Sequence, residues 1–164
     1  MPNLDQVTVA RSFREAFWTS GDAQAIAVED IIAPNCVLHG RAPFSISYVS
    51  GTMAIQHLVE FYQLTFSDIS MTIGHTVSEN DLVTVHWSAR ARHTGDLLGV
   101  PPTGREVEAS GIDLVRIEDG RIAEAWIYWD EISLLSQLID SKDSAGKSEG
   151  PDLLQVVERL LGSH

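Results

Sequence analysis

The sequence predicts an α+β domain in which three N-terminal helices cover one face of a curved antiparallel sheet. Three observations carry that reading. Apolar residues recur at intervals of three and four up to about residue 65, strict alternation replaces them from residue 68 onward, and Asn80-Asp81 and Asp119-Gly120 punctuate the alternating half as turns. At 164 residues with 44% apolar side chains, the chain is long enough for one domain with a core of its own.

The first helix carries Val7, Ala10, Phe13 and Phe17 at helical spacing, with Asn3 as N-cap, Gln6 as its capping-box partner and Gly21 as the stop. Asp22 caps a second helix through about Ile32, which Pro34 forbids from continuing, and residues 36–40 follow as a short strand. Ile55, Leu58, Val59 and Tyr62 restore helical spacing over residues 52–65. The period then changes. Ile69, Met71, Ile73 and Val77 alternate with Ser70, Thr72 and Gly74, and past the Asn80-Asp81 turn Val83, Val85, Trp87, Ala89 and Ala91 alternate with Thr84, His86, Ser88, Arg90 and Arg92. Pro101 and Pro102 cannot donate to a ladder, so their loop bounds the strands on either side. Residues 107–117 and 122–129 close the domain as a hairpin.

These elements fill residues 1–139. Residues 140–150, DSKDSAGKSEG, hold no apolar side chain larger than alanine and read as a flexible linker. Residues 151–164 read as an amphipathic helix that opens at Pro151 and sets Leu153, Val156, Val157 and Leu160 on one stripe. Such a stripe must be covered, by this domain, a second copy or a partner.

The formal charge is -12, from 23 acidic against 11 basic residues, and the basic ones are scattered rather than gathered in a stripe. That balance argues against nucleic acid and anionic membrane surfaces as partners. No run of about 18 apolar residues exists to span a bilayer. Cys36 alone cannot form an internal disulfide, and MPNLDQVTVA lacks the basic start and apolar stretch of a secretory signal, so the cytoplasm is the expected compartment.

Two registers are open for the last hairpin, and a one-residue slip reverses every face. A two-residue Asp119-Gly120 turn would pair Glu118 with Arg121 and put Asp113 beside Trp126. A three-residue turn with Gly120 as a left-handed bulge would group Ile112, Leu114 and Arg116 with Ile122, Glu124, Trp126, Tyr128 and Asp130. The second is preferred, because aliphatics, aromatics and a few polar groups on one surface have the composition of a small-molecule pocket. Asp130 among aromatic walls would lose hydration and become a general base; alternatively, it caps or ends a strand at the surface.

HTGDLLGVPPTGREV and GIDLVRIEDGRIAEAWIYWDEISLLSQL, with a helix opening GTMAIQHLVEFYQLTFSD, resemble the SnoaL-like polyketide cyclase family of the nuclear transport factor 2-like superfamily over roughly residues 5–139. Ser67 stands where the family usually has proline. The resemblance implies a cone of three helices against a strongly bent sheet. It also implies a cofactor-free enzyme in which Asp130 is the acid/base of an intramolecular aldol condensation that closes a ring of a small, hydrophobic, carbonyl-rich polyketide. Arg116 stands where characterised cyclases place histidine; it would polarise the substrate together with His39, and it would depress the pKa of Asp130. Trp126, Tyr128, Ile112, Leu114, Glu124, His93 and Tyr62 would line the substrate. A homodimer or higher homo-oligomer through the outer sheet face is the expected assembly.

The remaining candidates carry less. His39, His57, His75, His86 and His93 lack paired metal-ligand spacing, so no metal is expected. Cys36 on an apolar strand reads as core, no serine sits in a nucleophile elbow, and residues 99–105 lack the Lys-Ser/Thr ending of a phosphate loop. Trp18 and Trp129 read as packing or oligomer contacts. Two other functions stay open: an epoxide hydrolase, with Arg116 flanked by Asp130 and Glu124, and a non-catalytic module that holds a hydrophobic ligand or dimerises.

Overall fold

The Asp5 carboxylate fixes the start of the first helix by accepting from the Thr8 backbone N–H at 3.0 Å and from the Thr8 hydroxyl at 2.7 Å. Asn3, expected as that cap, lies outside the residues described by the computed structural model, which are 5–18, 28–40, 49–97 and 99–139. The elements are α1 (Gln6–Trp18), α2 (Val28–Ile31), β1 (Ile32–His39), β2 (Val49–Ser50), α3 (Thr52–Thr65), β3 (Phe66–Glu79), β4 (Leu82–His93), β5 (Glu106–Glu118), β6 (Arg121–Trp129) and α4 (Glu131–Ile139). The linker and the C-terminal helix expected over residues 140–164 fall outside the described residues, as do the side chains of Phe17 and Trp18.

The six strands form one sheet in the order β2-β1-β6-β5-β4-β3. β3 to β6 are the expected meander, but β1 runs parallel to β6, so the sheet is mixed rather than antiparallel throughout. No hairpin joins β1 to β6, and nothing in the connection forces them antiparallel. β1 also begins earlier than expected. It starts at Ile32 and contains Pro34, which sits where the pairing with β6 shifts between Ile32 and Val37.

The core lies between the sheet and α1 and α3. On α1, Val9, Ala10, Phe13 and Ala16 are buried, and on β4 the inward column is Val83, Val85, Trp87, Ala89 and Ala91. Burying side chains of this size contributes roughly 1.5–3 kcal/mol each for the larger ones. Along β3 Ile69, Met71 and Ile73 share one side, as expected, and that side packs against the core. Val77 departs from it: the ladder slips between Ile73 and Thr76, so Val77 points outward and is exposed.

The last hairpin mixes the two registers. Asp119 and Gly120 have φ of 51° and 76°, forming a two-residue turn that pairs Glu118 with Arg121 and Ile117 with Ile122. The extra residue enters one step later. A bulge at residue 123 sets Arg116 opposite Glu124, Leu114 opposite Trp126 and Ile112 opposite Tyr128. The preferred grouping therefore holds along the strands, except that Ile122 leaves it for the core. Its orientation, however, is the reverse of the expectation. Asp113, Val115, Ala125 and Ile127 are the buried residues under the helices, while Ile112 and Tyr128 face outward and are about half exposed.

α4 was not among the expected elements. Its Leu134, Leu135, Leu138 and Ile139 are buried, and Gln137 finishes the sheet edge. Where β6 ends, the Gln137 amide replaces a strand: it donates to the Glu108 carbonyl at 2.9 Å and accepts from the Glu108 N–H at 2.8 Å.

Candidate functional site

The inward face of the sheet carries one buried acid. Asp113 on β5 is 1% exposed and Arg14 on α1 is 3% exposed. The Arg14 Nη2 donates to Asp113 Oδ1 at 2.6 Å, Arg14 Nε donates to Oδ2, and the Trp87 indole N–H donates to Oδ1 at 3.1 Å. The guanidinium also lies 4.5 Å over the Trp87 ring. Burial pushes the Asp113 carboxyl up from its ordinary value, against the downward pull of Arg14 and the Trp87 N–H.

Aromatic rings extend this cluster toward the end of β6. Trp87 and Trp129 are 6.5 Å apart between centroids, and Tyr62 on α3 meets Trp129 edge-on at 6.1 Å. Gly111 makes room for them, since a Cβ there would stand 2.6 Å from Trp129 Cβ and 2.8 Å from Trp87 Cζ2. Burial pushes the Tyr62 hydroxyl up, the negative charge of Glu131 adds to that, and Arg14 opposes it. Glu131, the first residue of α4, is half-buried, and loss of water alone pushes its carboxyl up to about 8. Arg14, Tyr62, Asp113 and Glu131 thus share one electrostatic neighbourhood at the inner end of the fold.

The residues expected to form the site are dispersed. Tyr62 belongs to the interior cluster. Asp130 is exposed: its carboxylate caps α4 by accepting from the Ser133 N–H at 2.9 Å, the surface role open to it from sequence. It also lines an outward groove of about 520 Å³ with Ser110, Ser133 and Gln137 on one side and Ser70, Thr72 and Ser88 on the other. Arg116 pairs not with Asp130 but with Glu124 at 2.8 Å and Asp81 at 3.5 Å. His39 bonds the other Glu124 oxygen at 2.8 Å and stacks on Trp126 at 5.2 Å, so His39, Glu124, Arg116 and Trp126 form one network on the outward face. Ile112, Leu114 and Tyr128 continue that face. His93 is wholly buried at the end of β4, where its Nδ1 accepts from the Thr103 N–H at 3.2 Å.

Arg14, Trp87, Asp113 and Glu131 were not singled out from sequence. Their signal was a charge inside an apolar column: Asp113 shares its side of the strand with Ala109, Val115 and Ile117, and Arg14 follows Phe13 on the packed side of α1. Among the described residues no group of three or more His, Cys, Asp or Glu is placed to hold a metal ion, and no helix is long and apolar enough to cross a membrane.

A mixed, open sheet with helices on one face is the α+β architecture of the nuclear transport factor 2-like class. The chain belongs to the SnoaL-like polyketide cyclase family, which matches residues 8–138. It is 32% identical over 92 residues to the nogalonic acid methyl ester cyclase of Streptomyces nogalater, covering 56% of this chain and 69% of that one. It is 26% identical over 136 residues to the aklanonic acid methyl ester cyclase DauD of Streptomyces sp. strain C5, covering 81% of each. The crystal structure of IdmH from Streptomyces antibioticus superimposes with a TM-score of 0.67 at 31% identity, over 82% of this chain and 99% of that one. A SnoaL-like protein from Jannaschia sp. CCS1 shares the fold, with a TM-score of 0.70 at 20% identity, over 87% of this chain and 97% of that one.

Proposed function

We propose that the protein is a cofactor-independent cyclase that closes a ring by intramolecular aldol chemistry on a carbonyl-rich, polyketide-like small molecule. The names of the two cyclase relatives support the reaction class. The observation that carries the reading here is the interior cluster in which Asp113 clamps Arg14 and Tyr62 meets Trp129 edge-on, with Glu131 in its electrostatic neighbourhood and partial burial pushing that carboxyl up to about 8. An acid with its pKa near the working pH both takes and returns a proton. In the proposed step the Glu131 carboxylate removes a proton flanked by two carbonyls, and the enolate carbon attacks a third carbonyl carbon of the same molecule. The new C–C bond leaves an alkoxide, which recovers the proton from Glu131. Tyr62 donates a hydrogen bond to the enolate oxygen, and Arg14, held in place by Asp113, contributes fixed positive charge. An aromatic wall that holds the chain folded supplies proximity. Asp130 has the capping role instead.

An epoxide hydrolase would need an arginine between two carboxylates. Arg116 between Asp81 and Glu124 has that form, but it stands on the outward face at 38% exposure, where bulk water needs no positioning. The cyclase reading is therefore preferred.

The test is ring closure of aklanonic or nogalonic acid methyl ester, followed chromatographically. Glu131→Gln is expected to lower kcat by about 10²–10⁴-fold, the usual worth of a positioned acid/base, while Asp130→Asn stays within about threefold. Full activity in the Glu131→Gln protein, or collapse in Asp130→Asn with its fold intact, overturns the assignment. Tight binding of either ester without turnover would mean a ligand-holding module.

A further inference from the structure

One donor interrupts the buried, apolar column of β4. Val83, Val85, Ala89 and Ala91 carry no polar side-chain atom, whereas Trp87, wholly buried among them, carries an indole N–H. A phenylalanine would fill such a column; an indole inside a core also needs an acceptor for its N–H. That acceptor is Asp113 Oδ1, at 3.1 Å. The same oxygen accepts from Arg14 Nη2 at 2.6 Å, while Arg14 Nε donates to Oδ2. The Trp87 ring lies against the guanidinium, with Arg14 Cζ 4.5 Å from the ring centroid. Trp87 therefore acts on Arg14 twice, directly through its ring and indirectly through the carboxylate that Arg14 grips.

Each contact removes a different freedom. Two N–H bonds set the guanidinium plane relative to the carboxylate, but the pair can still turn together about the Asp113 Cβ–Cγ bond. The indole N–H takes that turn away, and the ring closes one side of the guanidinium. The indole has no room to follow. It stands between Ile73 and Gly111 in the ladder, and a Cβ on Gly111 would come within 2.8 Å of its Cζ2. The N–H acts on charge as well: burial favours the neutral form of Asp113, and hydrogen bonds from Trp87 and Arg14 to the ionised form oppose it. The neighbouring strands set Val85 and Ile127 opposite Asp113. The titratable and charged groups that act on this neighbourhood are therefore Arg14 from α1, Tyr62 from α3 and, through Tyr62, Glu131 from α4.

We propose that Trp87 is a positioning residue of the site, acting through Asp113 to hold the Arg14 guanidinium in one orientation. The assignment rests on the cyclase reading, in which Arg14 supplies fixed positive charge to the reacting oxygens. Charge on an enolate or alkoxide oxygen develops in the transition state rather than in the bound substrate, so a misdirected Arg14 lowers kcat and leaves KM nearly unchanged.

Trp87→Phe keeps a ring against Arg14 and deletes the N–H. With aklanonic acid methyl ester at about pH 6, kcat is expected to fall about 10- to 100-fold, the usual worth of a hydrogen bond to a charged group, with KM within about threefold. Without the N–H, Asp113 ionises at a higher pH, so the deficit should shrink toward about pH 9, where the carboxylate re-forms and grips Arg14 again. A loss of packing alone gives a deficit that does not follow pH. In the Arg14→Met, Asp113→Leu background, adding Trp87→Phe should change kcat by less than about twofold, because the N–H no longer acts on a charge. Carboxyl-carbon NMR of isotope-labelled aspartates, with Asp113→Asn assigning the signal, reads the hold without turnover, and in Trp87→Phe the Asp113 titration should move to higher pH. An unmoved titration, equal kcat in the natural and Trp87→Phe chains, or the same deficit in the Arg14→Met, Asp113→Leu background overturns the proposal and leaves the cyclase reading standing. A natural chain that does not turn the ester over sinks the cyclase reading instead, and the Asp113 titration then decides by itself whether Trp87 holds the pair.

Discussion

Arg14 and Asp113, separated by 99 positions in sequence, meet as a two-point ion pair inside the fold, the only fully buried opposite charges among the described residues. The pair ties α1 to the middle of the sheet. Each charge is tolerable there only because the other is present, and the Trp87 N–H satisfies a further lone pair on Asp113.

Removing one partner should therefore cost more than removing both. Arg14→Met is expected to destabilise by about 3–5 kcal/mol, the range for an orphaned buried charge, and the double variant Arg14→Met with Asp113→Leu should recover most of that loss. Urea midpoints at neutral pH check this. Single substitutions costing under about 1 kcal/mol would mean that water reaches the pair.

Glu131 makes stability depend on pH in a defined direction. Its folded carboxyl titrates at about 8 against an ordinary 4.5, so the folded state binds the proton more tightly than the unfolded chain. That contribution is complete below about pH 4.5 and is lost as pH rises through about 8. Glu131→Gln is neutral at every pH and escapes the loss. Relative to the natural chain it should gain stability steadily from about pH 5 to 9, as seen in thermal midpoints across that range. If the reaction uses the Glu131 carboxylate as base, kcat/KM of the natural enzyme should rise toward pH 8.

Much of the fold is legible in the sequence because two periods dominate it. Ile55, Leu58, Val59 and Tyr62 mark α3, and the alternation from Val83 to Ala91 marks β4 and separates its two sides, of which packing against the helices selects the apolar one as inward. The candidate site was harder to read. Its orientation depends on a bulge one residue past the Asp119-Gly120 turn and on which face the helices cover, and both are set by tertiary packing rather than local pattern. An aromatic and aliphatic mixture such as Ile112, Trp126 and Tyr128 suits a pocket wall and a covered outer face equally well. Asp113 was the more telling residue, because an acid in a column of buried neighbours survives only with a partner.

His93 gives the opposite pH dependence to Glu131. Burial lowers its pKa below the ordinary 6.5, and its Nδ1 is engaged as an acceptor by the Thr103 N–H. The unfolded chain thus takes up the proton first, and the stabilisation present above about pH 6.5 is lost as pH falls through the folded value. Protonation also removes the acceptor that anchors the loop from Thr94 to Arg105. Amide exchange in residues 94–105 should accelerate between about pH 7 and 5 faster than exchange in β4, once intrinsic rates are divided out. His93→Gln should show a flat ratio; a flat ratio in the natural chain would count against the assignment.

Gly111 lies opposite Trp129 in the ladder and beneath Trp87, where a Cβ would come within 2.5 Å of the Tyr128 carbonyl oxygen. Backbone atoms cannot swing aside as a side-chain tip can, so Gly111→Ala must displace β6 or the Trp87 indole. Overpacking of this kind costs typically about 1–3 kcal/mol, and here it also stretches the Trp87 N–H bond to Asp113. Gly104→Ala is the fitting control, because its φ of 66° strains the same substitution while nothing lies within 4 Å of the added methyl. Both variants should lose stability, but Gly111→Ala alone should alter the tryptophan near-ultraviolet circular dichroism and lower kcat. Matching tryptophan spectra in the two variants would show that the close contact is relieved without moving the indoles, and the link from Gly111 through Trp87 to Asp113 would then fail.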